Sequence, residues 1–218
     1  IAEDVYMNLI NQANCSLYIM TPYLILDAEM SGALQYAAKR GVDVRIVPSE
    51  NHRLSPDIFE KYIDKHTKIV AVSHVQAPTG YKCDIKALAE ICHKNGAFLV
   101  VDAIQSLGLL PFHAEDWGVH AVAAGGHKGL LAVPGIGILY VAPKLLEILS
   151  PDHIGSSAAW TIDRDIWENV CTKPQDACKL EQSNLNYPGI YALREGLKLI
   201  ESVGSNRIHA HIAALADK

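Results

Sequence analysis

The sequence predicts an α/β protein: a mainly parallel sheet with helices on both faces. Three observations carry that expectation. Short, almost wholly apolar runs such as Phe98-Leu99-Val100-Val101 alternate with stretches of helical periodicity, and strands apolar on both faces belong to sheets covered on both sides. Cap and turn residues stand at the changeovers, among them Asp27, Gly41 and Ser55-Pro56. Half of the 218 residues are hydrophobic and 20% are charged, which supports a sizeable buried core and argues against disorder.

Residues 2–13 place Val5, Leu9 and Ile10 near helical spacing, and 17–20 reads as a strand stopped at Thr21-Pro22. Asp27 is placed to cap a helix running through Arg40, with Met30, Ala33, Leu34, Ala37 and Ala38 on one stripe and Gly41 just past its end. A strand follows at 42–47. Ser55 as N-cap and Pro56 at the first helical position predict a helix to about Lys65, then a strand at 68–73. The next cycle is a helix over 84–94, Gly96, and a strand at 97–101. Beyond Asp102 the rhythm loosens. Strands are expected within 118–124 and 135–141, a short helix from Pro143, a loop around 155–157, and helices over 190–203 and 206–216.

Composition excludes several classes of function. Lys and Arg number 19 against 24 Asp and Glu, for a formal charge of −5, and the pI is near 6.0. With no long basic run, nucleic acid is not an expected partner. No stretch approaches the ~18 consecutive apolar residues of a membrane span, and no basic leader with an apolar core opens the chain. A soluble, cytoplasmic segment cut from a longer gene is expected, since residue 1 is Ile. The five cysteines form no CxxC pair, which suits small buried thiols in a reducing cytosol. Cys171 and Cys178 lack the further ligands a tetrahedral zinc site needs, so no metal is expected.

In open α/β sheets ligands gather outside the carboxyl ends of the strands. Three such places carry polar residues: Asp102 with Gln105 three residues on, Gly125-Gly126-His127-Lys128, and Ser73-His74. Asp102 and Lys128 could form a plain ion pair, and His127 could be a satisfied core histidine. The glycine pair points elsewhere, because it lets backbone and a bulky ligand approach closely. A desolvated lysine there becomes a nucleophile toward aldehydes. A buried aspartate facing it would hold a pyridine nitrogen protonated and make the ring an electron sink.

The segments VSHVQAPTG (72–80), NGAFLVVDAIQSLGLLPF (95–112) and AAGGHKGLLAVPGIGILYV (123–141) resemble the class V aminotransferase and cysteine desulfurase family of fold-type I pyridoxal-phosphate enzymes. The resemblance covers about 48–216 and implies an incomplete large domain of that fold. It further implies that Lys128 carries pyridoxal 5'-phosphate as a Schiff base and acts as general acid and base. Asp102 would bind the pyridine nitrogen, Gln105 the phenolic oxygen, and His127 the cofactor or its phosphate. A small amino acid is the implied substrate, transamination or lyase chemistry the implied reaction, and a homodimer the implied assembly. The chain departs from the family where Ala77 replaces an asparagine, Gly125 a phosphate-binding serine, and Ser183-Asn184 a Gly-Thr pair.

Residues 1–47 resemble instead the stretch between the two catalytic motifs of cardiolipin synthases in the phospholipase D superfamily, which divides the chain into 1–47 and 48–218. Those enzymes need H-x-K-x4-D; the nearest approach, His66-Thr67-Lys68, has Ser73 where the aspartate belongs. The pattern helix, strand, helix, strand is also what class V enzymes place ahead of this point, so 1–47 fits the sheet by pattern. It lacks the family's phosphate-binding turn and its stacking aromatic or histidine; Tyr23, just past a strand end, could stand over a ring but is more readily a surface or packing tyrosine. Two alternatives to an active enzyme therefore stand: an inactive chimeric or truncated fragment, and a piece of a phosphatidyltransferase.

Overall fold

The computed structural model describes residues 10–11, 14, 16–19, 28–46, 53–149, 176–181 and 185–216. The chain divides into two compact units: Ile1–Gln105 with Asp116–Val119, and Ser106–Glu115 with His120–Lys218.

In the first unit, β1 (Ser16–Ile19) and β2 (Asp43–Ile46) pair in parallel, with Ser16 opposite Asp43 and Ile19 opposite Ile46. They are joined through helix α1 (Ala28–Lys39). Ala33, Leu34 and Ala37 of α1 form a buried cluster with Ile10 and Val42, which is the stripe expected from helical spacing. Gly41, at φ 90°, turns the chain out of the helix. The Arg40 guanidinium donates to the carbonyls of Ile10 (3.3 Å) and Asn11 (3.2 Å).

Helix α2 (Pro56–Glu60) starts as Ser55-Pro56 predicts but ends well before Lys65. The Asp64 carboxylate intervenes: Oδ1 accepts the N–H groups of His66 (2.8 Å) and Thr67 (3.2 Å), a side-chain turn that competes with helix. These backbone N–H groups pull the Asp64 pKa below the usual carboxylate value. Phe59, with no exposed surface, anchors the short helix.

Strands β3 (Ile69–Ser73) and β4 (Phe98–Asp102) pair in parallel from Ile69–Phe98 to Ser73–Asp102, and α3 (Ile85–Asn95) lies between them in sequence. Both ends of α3 fall within a residue of the expected 84–94. Asp84 accepts the Ala87 N–H (3.1 Å) as N-cap, and Gly96 takes the left-handed conformation (φ 72°) at the C-cap. Leu88, Ala89 and Cys92 of α3 are buried, as are Val70, Val72, Leu99 and Val101 of the two strands.

The second unit contains β5 (Ala121–Gly125) and β6 (Gly137–Val141), paired from Ala121–Val141 to Gly125–Gly137. This pair is antiparallel, so the architecture is mixed rather than purely parallel. Helices α5 (Pro143–Ile148), α6 (Tyr187–Val203) and α7 (Ser205–Ala216) also belong here; α7 buries none of its residues. Helix α4 (Ala114–Trp117) and a 3-10 turn at Ala177–Leu180 have no counterpart among the sequence-based expectations. The expected features at Asp27, Tyr23, 155–157 and Ser183-Asn184 lie outside the described residues, as does most of the helix expected at 2–13.

Candidate active site

Asp102 is the last residue of β4, where the register brings it opposite Ser73. Its Oδ1 accepts the Ile104 N–H (2.9 Å), and its carbonyl accepts the His74 N–H (2.9 Å), so both the carboxylate and the backbone beneath it are held. Gln105 follows in the same turn and is half-buried.

The segment beyond β3 folds back on itself. The Cys83 N–H donates to the His74 carbonyl (2.8 Å), and the Gln76 N–H to the Tyr81 carbonyl (2.9 Å). Thr79 Oγ1 donates to Oε1 of the buried Gln76 (3.1 Å) and accepts the Tyr81 N–H (3.2 Å). His74 is buried under this loop, its ring edge-on to Trp117 at 6.1 Å. Burial pushes the imidazole down to about 4, and the nearby Lys82 ammonium acts in the same direction, so His74 is neutral at pH 7. His74 is thus a packed core histidine beside the strand end that carries Asp102. The sequence marked its position but gave no sign of its burial.

In the second unit, β5 leads directly into Gly126-His127-Lys128. The loop 126–136 closes on itself: the Gly126 N–H donates to the Ile136 carbonyl (2.8 Å), the Ala132 N–H to the Gly126 carbonyl (2.8 Å), and the Leu131 N–H to the Lys128 carbonyl (3.0 Å). A Cβ on Gly126 would lie 3.0 Å from Ile136 Cγ2 and 3.1 Å from Ala132 Cβ, so a side chain there would have to press its loop neighbours aside. Gly108 and Gly129 approach backbone to backbone: a Cβ on Gly108 would strike the Gly129 carbonyl oxygen, and one on Gly129 the Leu107 carbonyl oxygen. Leu131 sits at φ 60°, the one non-glycine residue with positive φ among the described residues, at a cost of about 1–2 kcal/mol.

Asp102 and Gln105 therefore come together at one strand end of the first unit, and His127 and Lys128 at one strand end of the second. One expectation is corrected. Desolvation was expected at the lysine and the aspartate, but Lys128 and Asp102 are both exposed, as is His127. Asp102 is the last residue of its strand and Lys128 stands on the loop beyond β5, where the packed faces of the sheet end. Ala77 is exposed at the tip of the 74–83 loop and supplies no hydrogen-bonding side chain there. Among the described residues no cluster of His, Cys, Asp and Glu has the makings of a metal site, and no helix is long and apolar enough to cross a membrane.

The fold is that of the large domain of pyridoxal-phosphate-dependent cysteine desulfurases. The apo cysteine desulfurase of Thermococcus onnurineus NA1 superposes with a TM-score of 0.76 at 25% identity, over 96% of this chain and 52% of that one. A C-DES variant with glycine covalently linked to its PLP cofactor shares the fold, with a TM-score of 0.72 at 18% identity, over 92% of this chain and 55% of that one. An uncharacterized aminotransferase of Bacillus subtilis, YcbU, is 33% identical over 172 residues, which cover 79% of this chain and 45% of that protein. Residues 11–218 match the family described as Aminotransferase class-V, and the chain belongs to that family. It spans about half the length, or less, of these relatives. The family match extends over 11–218 and so past Val47 and Pro48, while the likeness of 1–47 to cardiolipin synthases has no support beside it.

The residues present suit a pyridoxal phosphate in kind. Lys128 offers an accessible primary amine on a closed turn, Asp102 a carboxylate fixed through Oδ1, and Gln105 and His127 an amide and an imidazole beside them in sequence.

Proposed function

We propose that this chain is the lysine- and aspartate-bearing part of a cytoplasmic, homodimeric pyridoxal-phosphate enzyme that acts on a small amino acid by transamination or lyase chemistry. The observation that carries the reading is the pair of strand-end turns: Asp102 held at the end of β4 and Lys128 on the closed loop after β5, in a chain of the class V family. The cofactor, when bound, supplies an aldehyde that takes up amines and a ring that withdraws electrons. Lys128 Nζ would hold it and would move the proton at the substrate α-carbon. The Asp102 carboxylate would keep the ring nitrogen protonated, Gln105 would hold the phenolic oxygen, and His127 would contact the cofactor next to Lys128. Support for a cytoplasmic setting comes from the free thiols Cys83, Cys92 and Cys178.

The test is borohydride reduction of the chain mixed with pyridoxal phosphate, followed by peptide mass spectrometry. A pyridoxyl group is expected on Lys128, lost in Lys128→Ala; its absence from Lys128 in the unsubstituted chain refutes the reading.

A second reading, a segment that folds without turning over, is favoured by the exposure of Lys128 and Asp102. Such catalysis gains from excluding water around the developing charge, and these two groups remain solvated. An amino donor with an oxo-acid acceptor separates the two readings, because only the first yields new oxo acid.

A further inference from the structure

Glycine inside a helix needs a reason, because it costs about 1 kcal/mol relative to alanine in an ordinary helical position. Gly196 lies in the middle of α6, on the same face as Gly189 and Leu193, and all three are buried. A Cβ built on Gly196 would strike the Leu130 carbonyl oxygen and stand 3.3 Å from both the carbonyl carbon and the oxygen of Leu131. On Gly189 it would stand 3.0 Å from Ile136 Cβ. Helix α6 thus lies along the loop that carries Lys128 and meets it twice, at Leu130–Leu131 and at Ile136. Between those points Leu130 is buried with Ala124 and Leu193.

The turn beneath the lysine has little room to adjust. The Leu131 N–H closes it onto the Lys128 carbonyl, Leu131 is already at φ 60°, and Gly129 is pressed against Leu107 and lies, at its Cβ position, 2.8 Å from Leu109 Cγ. A displaced Leu130 carbonyl has to rotate the peptide units on either side of it, and the Leu131 N–H bond to the Lys128 carbonyl passes that rotation to Lys128.

We propose that Gly196 is a positioning residue for Lys128: the missing side chain lets the α6 backbone seat the Leu130–Leu131 peptide, and that seat sets where the lysine amine stands. The inference rests on the reading of Lys128 as the cofactor-bearing residue, and it concerns the amine itself, so it can be tested without cofactor.

The experiment is trace acetylation of the full chain with acetic anhydride from pH 7 to 11, each lysine quantified by mass spectrometry and Lys86 and Lys144 serving as internal references. Gly196→Ala is expected to change the rate at Lys128 relative to those references at least threefold, and to shift the absorbance maximum of the pyridoxal-phosphate adduct. Gly32→Ala, at a helix glycine with nothing within 4 Å of its Cβ position, is the control, expected to raise thermal stability and leave Lys128 unchanged. Should Gly196→Ala fail to fold, Leu131→Gly relaxes the same turn with the sequence of α6 unchanged and is expected to alter Lys128 labelling by a similar factor. A folded Gly196→Ala with unchanged Lys128 labelling overturns the proposal, and so does unchanged labelling in Leu131→Gly when Gly196→Ala does not fold. Failure of the unsubstituted chain to form a borohydride-stable adduct on Lys128 sinks the functional reading alone, because the acetylation comparison still stands.

Discussion

The buried His74 makes the stability of this chain depend on pH in a predictable direction. Its pKa in the fold is lowered to about 4 by burial, with Lys82 contributing, against about 6.5 for an exposed imidazole in the unfolded chain. Between those values the unfolded state binds the proton that the folded state refuses. Stability therefore falls as pH drops through 6.5 and the loss levels off below 4. At about 1.4 kcal/mol per pH unit the full loss is about 3 kcal/mol, and the part between pH 7 and pH 5 is about 2 kcal/mol. Urea unfolding at pH 7, 6 and 5 measures it, with His74→Phe and His74→Gln as non-titrating comparisons that cancel the contribution of every other group. Both variants are expected to be weaker than the parent at pH 7 and to lose about 2 kcal/mol less on going to pH 5. If all three chains show the same pH slope, within about 0.5 kcal/mol, burial of a neutral His74 is not what the fold requires.

Three further outcomes follow. Asp84→Ala removes the N-cap of α3 and is expected to lower stability by about 1 kcal/mol, while Gly96→Ala forces a Cβ into the left-handed C-cap at φ 72° and is expected to lower it by about 1–2 kcal/mol; urea midpoints at constant slope measure both. Cys83 and Cys92 are buried with their thiols pushed up to about 12, by burial in both cases and by Asp84 as well for Cys83. Among the described cysteines, iodoacetamide in the native state should therefore reach exposed Cys178, slowed by the hydrogen bond to Asp176 that raises its pKa, before Cys83 and Cys92, which it reaches only on unfolding. Rapid native-state labelling of Cys92 would contradict the burial of the inner face of α3.

Where the sequence carried a local cause, the fold could be read from it. Asp84, Gly96 and the apolar runs on either side place α3, β3 and β4 to within about a residue. The early stop of α2 was not readable by spacing, because it depends on a single carboxylate, Asp64, folding back on the backbone. The direction of β6 was hidden as well: GILYV is apolar in either orientation, and only the closed loop before it decides the pairing. At the site, residue types gave Asp102 and Lys128 their places at strand ends, since a polar residue after an apolar run marks the end of the sheet. Their exposure could not be read, because it depends on what stands over the turn and not on the turn itself. Gly196 did leave a signal in the sequence, a glycine amid good helix formers in REGLKLI, although its meaning came only with the approach of the Leu130 carbonyl.

The antiparallel joining of β5 to β6 has a bearing on the order in which the chain assembles. Its connection is the short stretch 126–136, whereas β3 reaches β4 only after the long excursion 74–97 through α3. Contacts near in sequence close with less entropy lost and form sooner. The ribbon followed by Lys128 is accordingly expected among the earliest structured parts of the molecule, with transition-state φ-values for Val122 and Ile138 exceeding those for Val70 and Leu99. The scaffold of the candidate site would then be laid down before the parallel pair.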